Sequence, residues 1–76
     1  MRNVEVVRAW ARGQAAKAAN LWTDGDVLYS YRLRIGYRNT QGDTVVILWR
    51  GDHRVSQTTS CHVGLALRYA DTSHNP

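Results

Sequence analysis

The sequence predicts an α+β domain: an N-terminal helix, a three- to four-stranded antiparallel sheet, and a C-terminal helix, the helices packed on one face of the sheet. Three observations lead there. Residues 27–38, VLYSYRLRIGYR, alternate with a period of two, the pattern of a strand with one face in a core. Turn-forming clusters, Asp24-Gly25 and NTQGD at 39–43, separate this run from apolar pieces on either side. Both ends of the chain carry apolar residues at helical spacing.

Each element has a local reason. Asn3 can cap a first helix that carries Val6, Val7, Trp10 and Ala11 on one side, with Glu5 in the favourable first turn. Gly13 stops it at a left-handed cap, although the alanines of AAKAAN (15–20) could prolong it and leave that segment open. A short strand around Leu21 and Trp22 precedes the Asp-Gly turn. In the long strand Val27, Tyr29, Tyr31, Leu33, Ile35 and Tyr37 are expected in the core. Leu28, Ser30, Arg32, Arg34, Gly36 and Arg38 are expected in solvent. TVVILWR (44–50) is apolar on both faces and reads as a central strand. GDHR (51–54) is a turn, followed by an extended piece at Val55 and Ser56. The closing helix places Val63, Ala66, Leu67 and Ala70 on one side, with Arg68 in its last turn. The tail 71–76 is polar and expected to fray, leaving an ordered core over 3–70.

Seventy-six residues suffice for one domain. Such a chain buries only about 60% of its unfolded surface, and has no room for a lid or a cofactor cleft, so no cofactor is expected. A homodimer covering an exposed face would widen the stability margin. Ten basic residues against six acidic give a net charge of +4, and Lys17 is the one lysine. The arginine bias suits phosphate and carboxylate partners, and a GC-rich genome would also produce it. Cys61 is the single cysteine, so there is no internal disulfide, which favours a reducing cytoplasm. No apolar run is long enough for a signal peptide or a membrane span.

Residues 56–62, SQTTSCH, hold four hydroxyls, a thiol and an imidazole. The simplest reading is a helix start, with Thr58 or Thr59 as N-cap and Ser60 in the first turn. A second reading is an anion site, in which Thr58, Thr59, Ser60 and His62, with Arg54, receive a phosphate or carboxylate. Catalysis fits poorly. Cys61 and His62 are adjacent and point about 100° apart on a helix, and the G-x-S-x-G elbow does not occur. His53, Cys61, His62 and His74 match no metal-ligand spacing, so no metal is expected.

Arg32, Arg34 and Arg38 share the expected solvent face, and Arg50 joins them in one of the registers open to the next strand. Such a row could track a phosphate backbone or an acidic protein, or could be an ordinary solvated face. Base stacking would need aromatics on the same face. The expected alternation puts the tyrosines on the opposite side, which argues against a sheet platform of the RNA-recognition type.

The segments LYSYRLRIG and VSQTTSCHV together resemble small domains encoded by phages, archaea and some bacteria. Their pattern is Ser-Tyr-x-x-x-Ile followed by Ser-x-Thr-Thr-Ser-x-His, met here by Ser30, Tyr31, Ile35, Ser56, Thr58, Thr59, Ser60 and His62. Trp10 and Gly13 fit the same pattern upstream. The resemblance implies a mobile-element or microbial origin and a compact, non-enzymatic domain, with no activity to carry over. From size and that origin, the expected function is binding to a host protein or nucleoprotein complex, as inhibitors of CRISPR complexes do. The alternative is direct nucleic-acid binding through the arginine face.

Overall fold

The computed structural model describes residues 1–49 and 56–76. Helix α1 spans Asn3–Ala11, followed by β1 (Ala16–Lys17), β2 (Leu21–Thr23), β3 (Leu28–Ser30), β4 (Leu33–Arg38) and β5 (Thr44–Ile47). Helix α2 (Gln57–Leu67) then leads into β6 (Thr72–His74). The strands form one sheet in sequence order. All neighbours are antiparallel except β5 and β6, which run parallel. The class is therefore α+β, with a six-stranded mixed sheet in place of three or four antiparallel strands.

The first helix is built as its spacing suggests, with Val6, Val7 and Trp10 fully buried. Its N-cap is Arg2 rather than Asn3. The Arg2 N–H donates to the Glu5 carboxylate at 3.0 Å, which satisfies a donor that the helix leaves unpaired. The helix stops where Gly13 takes a φ of +76°. Gly13 N–H donates to the Trp10 carbonyl and Gln14 N–H to that of Ala9, the paired bonds of a Schellman motif. AAKAAN does not continue the helix; it supplies the edge strand β1.

The run 27–38 is not one strand. It folds back at Tyr31 and Arg32, so that Ser30 pairs with Leu33. A second irregularity follows: Leu28 pairs with Gly36 and Tyr29 with Arg34, leaving Ile35 as the extra residue of a bulge. Each irregularity reverses the phase of the alternation. Leu28, Ser30, Ile35 and Gly36 are consequently buried, whereas Tyr29 and Tyr37 are half-buried and Tyr31 and Arg34 exposed. The expected inside and outside are thus exchanged for Leu28, Ser30, Gly36, Tyr29, Tyr31, Tyr37 and Arg38.

The β2–β3 turn is four residues, 24–27, rather than two. The Asp24 carboxylate accepts the N–H groups of Asp26 and Val27, each at 2.9 Å, and these bonds hold its pKa below the usual value. The segment 71–76 is not a frayed tail. Thr72–His74 forms β6, and Asp71 anchors it by accepting from the Thr44 N–H (2.9 Å) and hydroxyl (3.1 Å). Arg50, His53 and Arg54, the turn expected at 51–54 and the extended piece at Val55 lie outside the described residues.

Val63 and Ala66 of α2 join Val6, Val7, Trp10, Leu21, Leu28, Ile35 and Val46 in one core. Both helices therefore lie on the same face of the sheet, as expected. Trp10 sits directly over Gly36: a Cβ added there would lie 2.8 Å from the Trp10 ring and 3.3 Å from the Val45 carbonyl. Gly36→Ala is expected to lower stability by about 1–3 kcal/mol through overpacking. Denaturant unfolding checks this. The loss should shrink in a Trp10→Phe background, which lacks the ring atoms in the way; an equal loss in both backgrounds would refute the steric cause.

Candidate functional site

Two places gather the polar and aromatic residues of this chain. The first is the start of α2. Its N-cap is Ser56, not Thr58 or Thr59: Ser56 Oγ accepts the Thr59 N–H at 3.1 Å. Thr59 is instead turned inward, 3.1 Å from Ser30 Oγ. Ser30 Oγ also lies 2.7 Å from His62 Nδ1, and Asn3 Nδ2 lies 3.3 Å from His62 Nε2. Ser30 is 0% exposed and His62 3%. Ser30, Ser56, Thr59 and His62 form one hydrogen-bonded chain that ties β3 to α2, Tyr31 tilts near the His62 ring with centroids 6.4 Å apart, and Ile35 enters the core.

A serine 2.7 Å from a histidine invites a catalytic reading, and two observations oppose it. Neither side chain is open to a substrate. The Asn3 amide N–H₂ donates to Nε2, so the proton of the neutral ring sits on Nδ1 and is donated to Ser30 Oγ, the reverse of a base receiving a proton. Burial lowers the His62 pKa by disfavouring the charged ring. The anion reading loses Thr59 and His62, whose polar atoms are engaged inward. Thr58 is exposed and Ser60 half-buried at the surface. Cys61 is exposed and free. Among the described residues no three His, Cys, Asp or Glu side chains converge into a metal cage.

The structure divides the arginine row. Arg32 is exposed in the β3–β4 turn, and Arg34 is exposed on the face turned away from the helices. Arg38 goes to the opposite face, because the bulge at Ile35 intervenes. It donates to the carbonyls of Trp10 (2.6 Å) and Gly42 (3.0 Å) and lies 3.8 Å from the Asp26 carboxylate. Arg38 holds the end of α1 to the sheet.

The second place is the helix-free face, which the expected alternation assigned to the wrong residues. The strand registers set Lys17 opposite Trp22, Trp22 opposite Tyr29, and Tyr29 opposite Arg34. These four make a straight rank across β1–β4, about 4.8 Å per step. The rings of Trp22 and Tyr29 stack, with centroids 4.2 Å apart and planes 14° from parallel. The Arg34 guanidinium lies 5.1 Å from the Tyr37 ring centroid, a cation–π distance. The Tyr37 hydroxyl lies 2.8 Å from His74 Nε2. Val45 and Ile47, only 4% and 5% exposed, share this face by register. Tyr31 stands at the neighbouring turn, 47% exposed and with φ +57°, a conformation that costs a non-glycine residue about 1–3 kcal/mol.

No protein-family model, no curated protein and no solved structure matches this chain. Among the described residues no helix is long and apolar enough to cross a membrane.

Proposed function

We propose that this chain is a small non-catalytic binding protein, encoded by a phage or mobile element, that occupies a surface of a host protein or nucleoprotein complex in the cytoplasm. Inhibition of a CRISPR complex is one action of that kind. Its contact surface is the helix-free sheet face, and the rank Lys17–Trp22–Tyr29–Arg34 carries the reading. Tryptophan, tyrosine and arginine are the side chains that most often anchor interfaces, and here they stand side by side on a rigid sheet. The Ser30–His62 pair is a buried tie rather than a reaction centre, which supports binding over catalysis.

Reversing the charge at both Lys17 and Arg34 to Glu tests this. Capture of a partner from host lysate should fall at least about tenfold for the reversed protein, an effect of about 1.4 kcal/mol. The double reversal of Arg8 and Arg12, exposed on α1, should leave capture intact. Equal capture by the Lys17/Arg34 variant would rule out this face.

A further inference from the structure

The occupant of this face follows from how its charges and rings are ordered. Two cations bracket two stacked rings in one registered line. Among the described residues no strand residue on the face is acidic; Tyr37, Val45, Ile47, Thr72 and His74 complete it. An acidic peptide would use Lys17 and Arg34 and leave the rings without a partner. A duplex would offer phosphates but hide the faces of its bases. Unstacked bases satisfy both, since sequence-tolerant binders of single strands combine cations that follow the backbone with aromatics on which bases stack.

We propose that the rank binds single-stranded nucleic acid, with bases stacking on the outer ring faces of Trp22 and Tyr29 and phosphates held by Lys17 and Arg34. This rests on the reading that the helix-free face is the contact surface. Trp22 and Tyr29 already cover one ring face each, so a base extends the stack outward at either end. The Arg34–Tyr37 contact holds the guanidinium on this face. The Trp22 indole N–H donates to the Tyr31 carbonyl at 3.1 Å, which fixes its ring before any ligand arrives. Stacking and phosphate contact do not select bases, so sequence preference is weak. They also do not read the ribose hydroxyl, so DNA and RNA are bound alike.

The test is fluorescence anisotropy with labelled oligo(dT), oligo(rU) and a duplex of equal length, over a salt series. Both single strands should bind more tightly than the duplex and quench tryptophan emission. Arg34→Gln should weaken binding and flatten the log–log salt slope by about 0.7, one phosphate contact on a single strand. Trp22→Leu should weaken binding about 5- to 150-fold with the slope unchanged, and circular dichroism would verify that it folds. Arg8→Gln should change nothing. The proposal is overturned if no strand binds at low salt, if the duplex binds equally well, or if Arg34→Gln and Trp22→Leu bind as wild type.

The wider reading is separable. Suppose oligonucleotides fail to bind, yet nuclease-treated lysate still yields a partner that the Lys17/Arg34 reversal loses. Then the face binds protein and only the nucleic-acid assignment falls. A dimer in sedimentation that the same reversal dissociates would show the face taken by a second copy, with the same consequence. Failure of both oligonucleotide binding and partner loss would remove both.

Discussion

Replacing Trp10 with alanine is expected to remove about 3–5 kcal/mol of stability, at least about a quarter of what the chain has. Trp10 is fully buried. Its ring covers Gly36, its indole N–H donates to the Asp26 carbonyl at 3.0 Å, and its own carbonyl receives Arg38 and Gly13. Deleting such a side chain costs about 3–5 kcal/mol. At about 0.05–0.15 kcal/mol per residue, a chain of this length has only about 4–11 kcal/mol in total. Glycine at 36 offers no side chain to refill the space, so the cavity term should be near its maximum. Thermal melts followed by circular dichroism should show the midpoint falling by at least about 12 °C. A drop under about 4 °C, the shift for roughly 1 kcal/mol, would mean that Trp10 is not the centre of the core.

The second large effect is acid sensitivity through His62. Burial lowers its pKa in the folded state below the ordinary 6.5. The unfolded chain therefore takes up the proton first as pH falls. The stability that neutral His62 contributes is complete above about pH 6.5 and is lost progressively below it, by at most about 1.4 kcal/mol per pH unit. Protonation would also set an Nε2–H against the Asn3 amide N–H₂, which can only donate. His62→Gln should be less stable at pH 7.5 by about 1–3 kcal/mol, because Ser30 loses its imidazole partner and Asn3 its acceptor. Its denaturant midpoint should nevertheless fall less between pH 7.5 and 5 than that of the wild type. Identical pH slopes in the two proteins would exclude His62 as the source. A linkage of this kind ties the seating of α2 on the sheet to proton concentration, through the same atoms that a catalytic reading would have claimed.

Much of the architecture was readable along the chain. The first helix, its stop at Gly13, the burial of both faces of 44–47 and the burial of Val63 and Ala66 all follow from local rules, whereas the inward turn of Thr59 and His62 does not. Those rules need only apolar spacing, a glycine able to reach positive φ, and hydroxyls that cap. The small edge strands were not readable. Ala16–Lys17 is drawn from helix-forming residues, and Thr72–His74 from polar ones; each becomes a strand because a neighbouring edge offers unpaired backbone groups.

The site was the least legible part, and one tight turn and one bulge account for it. Alternation over 27–38 looks the same for one strand as for two strands folded on each other. Pairing of Ser30 with Leu33 and the surplus Ile35 cannot be read from spacing, because both depend on which backbone groups meet across the sheet. They brought Ser30 in to His62, drew Arg38 to the helix side, and put Tyr29 and Tyr37 beside Arg34. The amino-acid order by itself determined which segments could bury a face and where the first helix stops, since those are short-range matters of torsion, whereas each helix begins at a residue other than the expected cap. The tertiary structure alone decided which side of the sheet each ring and charge occupies, because a shift of one residue in strand pairing reverses every side chain beyond it.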